Sequence, residues 1–300
     1  MSKRTLALLG ATMVSLIYGV TFTIAKDVMP RYIDAYGFIV LRVAGTTLLF
    51  WIIWLFLPKE KIATADYPRI VAAAFFGVAL NMLTFFKGLS LTSPIAASVI
   101  MVTTPIIVLV LSAIIIKERM QPRKVIGIVL GLAGTAFLIL YGKSMGGAPN
   151  AGLGNFLVFV NAVSYGFYLI IVKKLMDKYD AFTFVKWIYL FGLLMVIPFG
   201  WAELNAVAWE VIPNTILWKI GFVIFFSTFL TYLLNLLSMK QLKPTLVAVF
   251  IYLQPLFATL FAIGLGKDQL STVKIVSAIM IFAGVYLVTQ KRTADIPASQ

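Results

Sequence analysis

The sequence contains no cysteine and no histidine, and it has few charged residues. These absences exclude disulfides, zinc or haem sites with Cys or His ligands, and His-based acid–base catalysis. Only 12% of the 300 residues are charged, and all eleven Asp and Glu residues lie outside the apolar runs or at their ends. We therefore expect no enzyme and no cofactor, since neither a Ser–His pair nor an intramembrane Asp pair is available.

Apolar residues dominate instead, at 61% of the chain with a mean hydropathy of +1.00. The apolar runs are about 17–24 residues long, which is enough to cross a ~30 Å hydrocarbon core. This pattern predicts an all-α polytopic membrane protein embedded in the lipid bilayer. The ten predicted transmembrane helices span residues 6–25, 36–57, 70–89, 94–116, 125–141, 153–172, 182–201, 217–239, 244–266 and 273–289.

The net charge of +14 is explained by topology, because the basic residues sit at helix ends, and nucleic acid is not an expected partner. With the N-terminus inside, seventeen Lys and Arg residues fall on the cytoplasmic side and seven on the outer side. Lysine and arginine are enriched in cytoplasmic loops. We therefore expect both termini in the cytoplasm of a multi-pass plasma membrane protein, or an inner membrane protein in a Gram-negative bacterium.

An internal repeat divides the chain into residues 1–145 and 146–300. At an offset of 150 residues, the matching pairs are Pro94 and Pro244, Pro105 and Pro255, and Gly134 and Gly284; at 147, Tyr18 matches Tyr165. Each half holds five predicted spans, and an odd number forces the second half into the membrane the opposite way up. The expected architecture is two inverted five-helix repeats around a central cavity, which permits alternating access.

Pro105 and Pro255 lie at the centres of the fourth and ninth spans. Proline removes a helical hydrogen bond and displaces the carbonyl four residues earlier, here that of Met101 and of Ile251. Such a carbonyl is costly in hydrocarbon and should face protein, water or a ligand. The two prolines are therefore candidate helix-break or gating residues, although a simple packing kink is also open.

Polar residues recur at helical spacing in the first, third, sixth and eighth spans, which places them on one face of each helix. These faces fit either interhelical hydrogen bonds or a wet cavity. Amides are hard to satisfy in lipid and favour the cavity, and deep tyrosines fit either substrate stacking or core packing. The candidate substrate-binding residues are Tyr18, Arg42, Asn81, Ser98, Asn161, Tyr165, Tyr168, Asn235, Tyr252 and Gln254.

Arg42 is the only clear charge within a span. It lies about 9 Å into its helix, where it can either extend to the outer interface or bind an anion in the cavity. A positive site without a buried carboxylate suits a substrate that carries one. In the fifth span Gly127, Gly131 and Gly134 form a small-residue face, which indicates close helix packing or dimerisation. We expect a monomer or a weak homodimer.

The chain resembles the EamA-type transporters of the drug/metabolite transporter superfamily over its whole length. The residues that carry the resemblance are Tyr18-Gly19, Gly88 to Pro94 leading into Ala96-Ala97-Ser98, Thr104-Pro105, Lys117-Glu118-Arg119 followed by Gly127, Gly131 and Gly134, and in the second half Pro244, Gln254-Pro255, Asp268 and Ala283-Gly284. The last acidic residue is Asp where relatives usually have Glu.

The resemblance implies a cavity lined mainly by spans 1, 3, 4, 6, 8 and 9, with spans 5 and 10 at the periphery. It also implies export of small metabolites, often amino acids. Two functions therefore compete: a secondary transporter of amino acids or related small molecules, and an exporter of amphiphilic or drug-like compounds. Both take a small-molecule substrate.

Overall fold

A computed structural model describes residues 2–91, 100–140, 151–264 and 271–290, and every regular element within those ranges is helical. The expected all-α class is confirmed for this part of the chain. We label the main helices α1 to α10 in chain order. The uninterrupted ones are α1 Lys3–Val28, α2 Ala35–Leu55, α4 Thr104–Ile115, α5 Pro122–Leu140, α6 Ala151–Met176, α7 Ala181–Asn205 and α10 Thr272–Thr289.

The other three helices are interrupted. Helix α3 comprises Tyr67–Ala74, a π-helical turn Phe75–Ala79 and Leu80–Leu91. Helix α8 comprises Asn214–Phe222, a π-helical segment Val223–Leu230 and Thr231–Met239. Helix α9 comprises Pro244–Val249, a 3₁₀ turn Phe250–Tyr252 and Leu253–Gly264. The 3₁₀ turn agrees with the predicted proline break, whereas the two π-helical segments have no counterpart in the sequence analysis.

Eight of these helices are long and apolar enough to cross a membrane, counting only the described residues. They are α1, α2, α3, α6, α7, α8, α9 and α10, so the chain is a multi-pass membrane protein. Helix α4 continues a shorter apolar stretch that begins at Ile100. Helix α5 is 19 residues long and starts beside Arg123 and Lys124. Ten membrane crossings therefore remain a prediction.

Local side chains fix where several helices begin. Ser2 Oγ accepts a hydrogen bond from the backbone N–H of Thr5, and Asp180 Oδ1 accepts one from Phe182. Such caps satisfy backbone donors that have no partner within the helix. Proline occupies the first turn of α3, α4 and α9, where its missing N–H removes no helical hydrogen bond.

The helices pack so that each half contacts the other throughout. Helix α2 packs on α7, α5 on α10, α3 on α6, and α1 on both α8 and α9. Helix α4 also packs on α6. Helices that occupy the same position in each half, such as α2 and α7, therefore contact one another, and the core lies between the halves.

Two equivalent glycines receive the π-helical segments. A Cβ on Gly192 of α7 would lie 2.6 Å from Val78, and one on Gly45 of α2 would lie 2.8 Å from Ile224. The two glycines are 147 residues apart, the offset that relates Tyr18 and Tyr165. Because glycine has no side chain, α7 leaves room for Val78 of the π-helical turn in α3, and α2 leaves room for Ile224 of the π-helical segment in α8.

The small-residue face of α5 packs within the chain. A Cβ on Gly127 would lie 2.8 Å from the carbonyl oxygen of Gly284, and one on Gly134 would lie 2.7 Å from Met280. Helix α10 therefore covers this face, which supports the close-packing interpretation over dimerisation. Small residues serve this purpose in membrane helices because they let two backbones approach closely.

Gly200→Ala should destabilise the fold. A Cβ at this position would lie 2.2 Å from the backbone carbonyl oxygen of Tyr36, and a backbone atom cannot rotate away as a side chain can. We expect overpacking of about 1–3 kcal/mol to exceed the gain of about 1 kcal/mol in helix propensity. A lower melting temperature of the purified protein would show it.

The matched control is Gly221→Ala in α8, where a Cβ would meet nothing within 4 Å. Its melting temperature should stay level or rise. Equal effects of the two substitutions would contradict the contact between α2 and α7.

Candidate substrate-binding site

A tyrosine cluster lies where α6, α7 and α8 meet. The ring centroids of Tyr165 and Tyr168 are 6.1 Å apart, those of Tyr168 and Tyr232 5.9 Å, and those of Tyr189 and Tyr232 5.1 Å. Tyr18 of α1 joins the cluster through a 3.2 Å hydrogen bond between its hydroxyl and Thr231 Oγ1. The structure thus brings together Tyr18, Tyr165 and Tyr168, three of the predicted residues.

Arg42 reaches this region from α2. Its side chain is buried, with 6% of the residue exposed, and its Nε donates a 3.1 Å hydrogen bond to Thr228 Oγ1 of α8. The guanidinium carbon lies 5.5 Å from the ring centroid of Phe86 and 5.9 Å from that of Phe38. Arg42 therefore points into the bundle and does not extend to the outer interface.

The positive charge of Arg42 has no counterion in the described part of the chain. No carboxylate there lies within 4 Å of the guanidinium, and the Nε–Thr228 contact is its one hydrogen bond to those residues. A buried charge is costly unless it is paired and hydrogen-bonded. The arrangement is therefore suited to an anionic group that arrives from outside the protein.

Neighbouring hydroxyls add further unused donors. Those of Tyr168, Tyr189 and Ser227 are buried and have no hydrogen-bond partner among the described residues. A buried hydroxyl without a partner costs roughly 1–3 kcal/mol. Together with Arg42 they make a region that is rich in donors and poor in anionic acceptors.

Two predicted amides lie side by side between α3 and α6. Asn161 Nδ2 donates to the carbonyl of Asn81 at 2.8 Å, and Asn81 Nδ2 donates to the carbonyl of Asn161 at 3.4 Å. This pair leaves Asn161 Oδ1 buried with no donor in the described structure. The side chain of Asn235 is also buried and makes no hydrogen bond to a described residue. The amides therefore offer acceptors that the protein does not use.

The π-helical segments add polar contacts to the same region. In α3, the carbonyl of Phe76 accepts from Ser164 Oγ at 2.6 Å, and that of Gly77 accepts from the Tyr232 hydroxyl at 2.7 Å. In α8, the carbonyl of Val223 accepts from Thr228 Oγ1 at 2.8 Å. A π-helical turn disturbs the regular hydrogen bonding of an α-helix. Here side chains also donate to these carbonyls, and the contacts hold Tyr232 and Thr228 in position.

Two residues of this site, Thr228 and Tyr189, were not predicted, whereas Tyr232 is one of the deep tyrosines that the sequence places on or beside a polar face. Tyr189 was detectable from the repeat, because it lies 147 residues after Arg42, as Tyr165 does after Tyr18. The two halves thus place an arginine and a tyrosine at equivalent positions. Nothing in the local sequence pattern singles out Thr228 as the partner of Arg42.

Two predicted residues of α9 lie apart from the tyrosine cluster. Tyr252 is fully buried against α5, where a Cβ on Gly131 would lie 2.4 Å from its ring. Gln254 is half-buried, and its backbone carbonyl packs against Gly19 of α1. Ser98 lies outside the described residues.

Near both prolines, a backbone carbonyl accepts a hydrogen bond from a hydroxyl side chain of the protein. The Met101 carbonyl, four residues before Pro105, accepts a 2.5 Å hydrogen bond from Thr104 Oγ1. Before Pro255, the 3₁₀ turn rearranges the backbone, and the Phe250 carbonyl accepts from Ser15 Oγ at 2.7 Å. The Met101 carbonyl was expected to face protein, water or a ligand, and in the structure its partner is a protein side chain.

One end of the bundle is tightly closed. The Glu118 carboxylate follows α4, is buried, and pairs with Lys124 Nζ of α5 at 2.7 Å. Its other oxygen accepts from Thr245 Oγ1 at the start of α9 at 3.0 Å. At the same end Ser238 Oγ of α8 donates to the carbonyl of Ala7 in α1. Hydrogen bonds between the two halves therefore seal the end where α1 begins.

Comparison with known proteins gives the family. The sequence profile of the EamA-like transporter family matches residues 5–140 and again residues 152–290. An uncharacterized transporter of Archaeoglobus fulgidus is 27% identical over 97% of this chain and 99% of its own length. The uncharacterized transporter YetK of Bacillus subtilis is 23% identical over 78% of this chain and 72% of its own.

The fold also has a solved counterpart. A crystal structure covering 96% of this chain and 97% of its own superposes with a TM-score of 0.77 at 18% sequence identity. That identity supports the fold alone. The profile matches, by contrast, span both halves of the sequence, and the chain therefore belongs to the EamA-like transporter family.

Proposed function

We propose that this protein is a secondary transporter of the drug/metabolite type that exports amino acids or related small metabolites. The observation that carries the proposal is Arg42, a buried guanidinium with no carboxylate within 4 Å among the described residues. A substrate carboxylate would supply the missing counterion, and a charge-assisted hydrogen bond to a guanidinium is among the strongest available.

The amide side chains provide acceptors for the α-ammonium group of an amino acid. Asn161 Oδ1 is a buried acceptor without a donor among the described residues, and Asn81 and Asn235 lie on neighbouring helices. An α-ammonium group supplies three donors and no acceptor. In this proposal the carboxylate binds Arg42 and the hydroxyls of Tyr168 and Tyr189, while the ammonium faces the amides.

The mechanism proposed is alternating access by two inverted five-helix repeats. Its support is the repeated architecture: π-helical segments at equivalent places in α3 and α8, and equivalent glycines in α2 and α7 that receive them. Two near-equivalent halves of opposite orientation can exchange conformations around a fixed site. We further propose a cytoplasmic location for both termini, at the sealed end, and a monomeric transporter.

The test of the function is counterflow in proteoliposomes. Vesicles loaded with one amino acid should accumulate the same labelled amino acid from outside, and protein-free vesicles should not. A screen of amino acids, amines and nucleoside-like metabolites that yields no flux would refute the proposal. Thermal-shift measurements with the same compounds identify ligands independently of coupling.

Arg42→Met should lower kcat/KM for a carboxylate substrate at least tenfold, because a hydrogen bond to a charged group contributes about 1.5–3 kcal/mol and about 1.4 kcal/mol is a factor of ten. The melting temperature should not fall, since the substitution removes a buried charge without a counterion. Arg31→Met, at an exposed position, is the matched control and should transport normally. Equal kcat/KM in wild type and Arg42→Met would contradict an anion site.

Pro105→Ala and Pro255→Ala should slow the exchange between inward-open and outward-open states more than they lower expression. An alanine restores the N–H that proline lacks and favours a continuous, stiffer helix. Transport rates of the two variants, normalised to the amount of reconstituted protein, measure the effect. Unchanged rates in both would leave the prolines as packing kinks.

Glu118→Ala should loosen the sealed end, because it removes hydrogen bonds to both Lys124 and Thr245. The chain has no cysteine, so a single Cys replacing the fully buried Ala248 in the first part of α9 reports on this end. We expect maleimide to label that Cys several-fold faster when Glu118 is replaced. The exposed Glu210 gives the control Glu210→Ala, and equal labelling in all three backgrounds would rule out Glu118 as a closing contact.

The alternative function is export of amphiphilic or drug-like compounds, and the observation in its favour is the aromatic cluster. Tyr165, Tyr168 and Tyr232 form a contiguous ring surface that can stack on a planar solute. Arg42 disfavours cations in this region. Resistance to cationic compounds on overexpression, unchanged by Arg42→Ala, would support this function over amino acid export.

A further inference from the structure

A second cation without a carboxylate partner among the described residues lies in the second turn of α7, one helical turn before Tyr189 of the tyrosine cluster. Lys186 is buried, with 4% of the residue exposed, and is surrounded by three tryptophans. Its Nζ lies 2.9 Å from the ring centroid of Trp54, 4.9 Å from that of Trp51 and 5.7 Å from that of Trp187. The ammonium therefore sits in an aromatic pocket formed by the end of α2 and the start of α7.

The donors in this pocket have no anionic acceptor. No carboxylate of the described residues lies within 4 Å of Lys186 or Lys59. Lys59 Nζ lies 5.6 Å from the centroid of the same Trp54 ring, so two cations share one indole. The indole N–H of Trp51 is buried and has no acceptor among the described residues. Two like charges and a buried N–H without an acceptor together favour an anion at this point.

The acidic side chains near this pocket bind other groups of the protein. Glu60 accepts from Thr183 Oγ1 at 2.6 Å and from the Asp180 backbone at 3.0 Å. Asp180 pairs with Lys240, and Asp66 pairs with Lys178 and Arg69. The nearby carboxylates thus have other partners, and the pocket stays basic.

The aromatic residues of the pocket are typical of the headgroup level of a membrane. It lies where α2 ends and α3 and α7 begin, and Tyr67 at the start of α3 packs on Trp187 with ring centroids 5.7 Å apart. Tryptophan and tyrosine concentrate at the membrane–water interface, at the level of the headgroups. Exposed apolar residues such as Ile52 and Leu55 continue the surface of α2 toward the lipid side.

We propose that Lys186, Lys59 and the Trp51 N–H bind the phosphate of an anionic phospholipid, with the three tryptophans walling the headgroup. The phosphate supplies the acceptors that all three groups lack. Bound lipid would join α2 to α7 at the interface. The site lies one helical turn from Tyr189 of the tyrosine cluster, and its proposed ligand is a phospholipid and not the transported substrate.

The experiment uses the full chain in nanodiscs of phosphatidylcholine, with or without phosphatidylglycerol, followed by native mass spectrometry and melting curves. Wild type should retain phosphatidylglycerol and melt several degrees higher in its presence. Lys186→Met keeps the aliphatic stem against Trp54 and should lose at least tenfold in phosphatidylglycerol retention. Trp51→Phe keeps an aromatic ring but removes the N–H, and it should lose part of the phosphatidylglycerol retention.

Lys61→Met is the matched control, since Lys61 is an exposed lysine of the same loop, and it should retain the lipid fully. Lys186→Arg should retain it as well, which separates charge from misfolding. Equal retention by wild type and Lys186→Met would overturn the proposal. So would protection by inorganic phosphate equal to that by phosphatidylglycerol, because the ligand would then be a free anion.

Discussion

Backbone groups inside a bilayer must find hydrogen-bond partners within the protein, because hydrocarbon supplies none. Several helices of this chain are interrupted, and among the described residues side chains donate hydrogen bonds to backbone carbonyls at these interruptions. Thr104 bonds the carbonyl that Pro105 displaces, Ser15 bonds the carbonyl of Phe250, and Tyr232 bonds a carbonyl of the π-helical turn in α3. Ser15 and Tyr232 come from another helix, so two of these three interruptions also join two helices.

The same constraint determines which polar residues remain for a ligand. Ser164 and Tyr232 are occupied by backbone carbonyls of α3. Among the described residues of the site, Arg42 has no carboxylate partner, and the hydroxyls of Tyr168 and Tyr189 and the amide oxygen of Asn161 have no hydrogen-bond partner. A polar residue on a helix face is therefore not in itself a binding residue. It can bind a ligand only if it still has a hydrogen-bond donor or acceptor that the protein does not use.

Much of the architecture was predictable, because it follows from local composition. Long apolar runs predict helices, basic helix ends predict an orientation, and the 150-residue and 147-residue offsets predict two related halves. The burial of Arg42 and the grouping of Tyr18, Tyr165 and Tyr168 agree with one of the interpretations open for them. Tyr252 shows the limit: it has the same residue type and is also buried, yet it packs against Gly131 of α5.

By itself, the sequence determined the helical class, the absence of Cys and His chemistry, the scarcity of buried charge and the internal repeat, since each is a property of composition or of spacing along the chain. Tertiary structure decided which residues meet. Arg42 and Thr228 are 186 residues apart, and Ser15 and Phe250 are 235 apart. Such contacts depend on how helices from the two halves rotate and pack, and helical periodicity shows which residues share a face but not which face another helix covers.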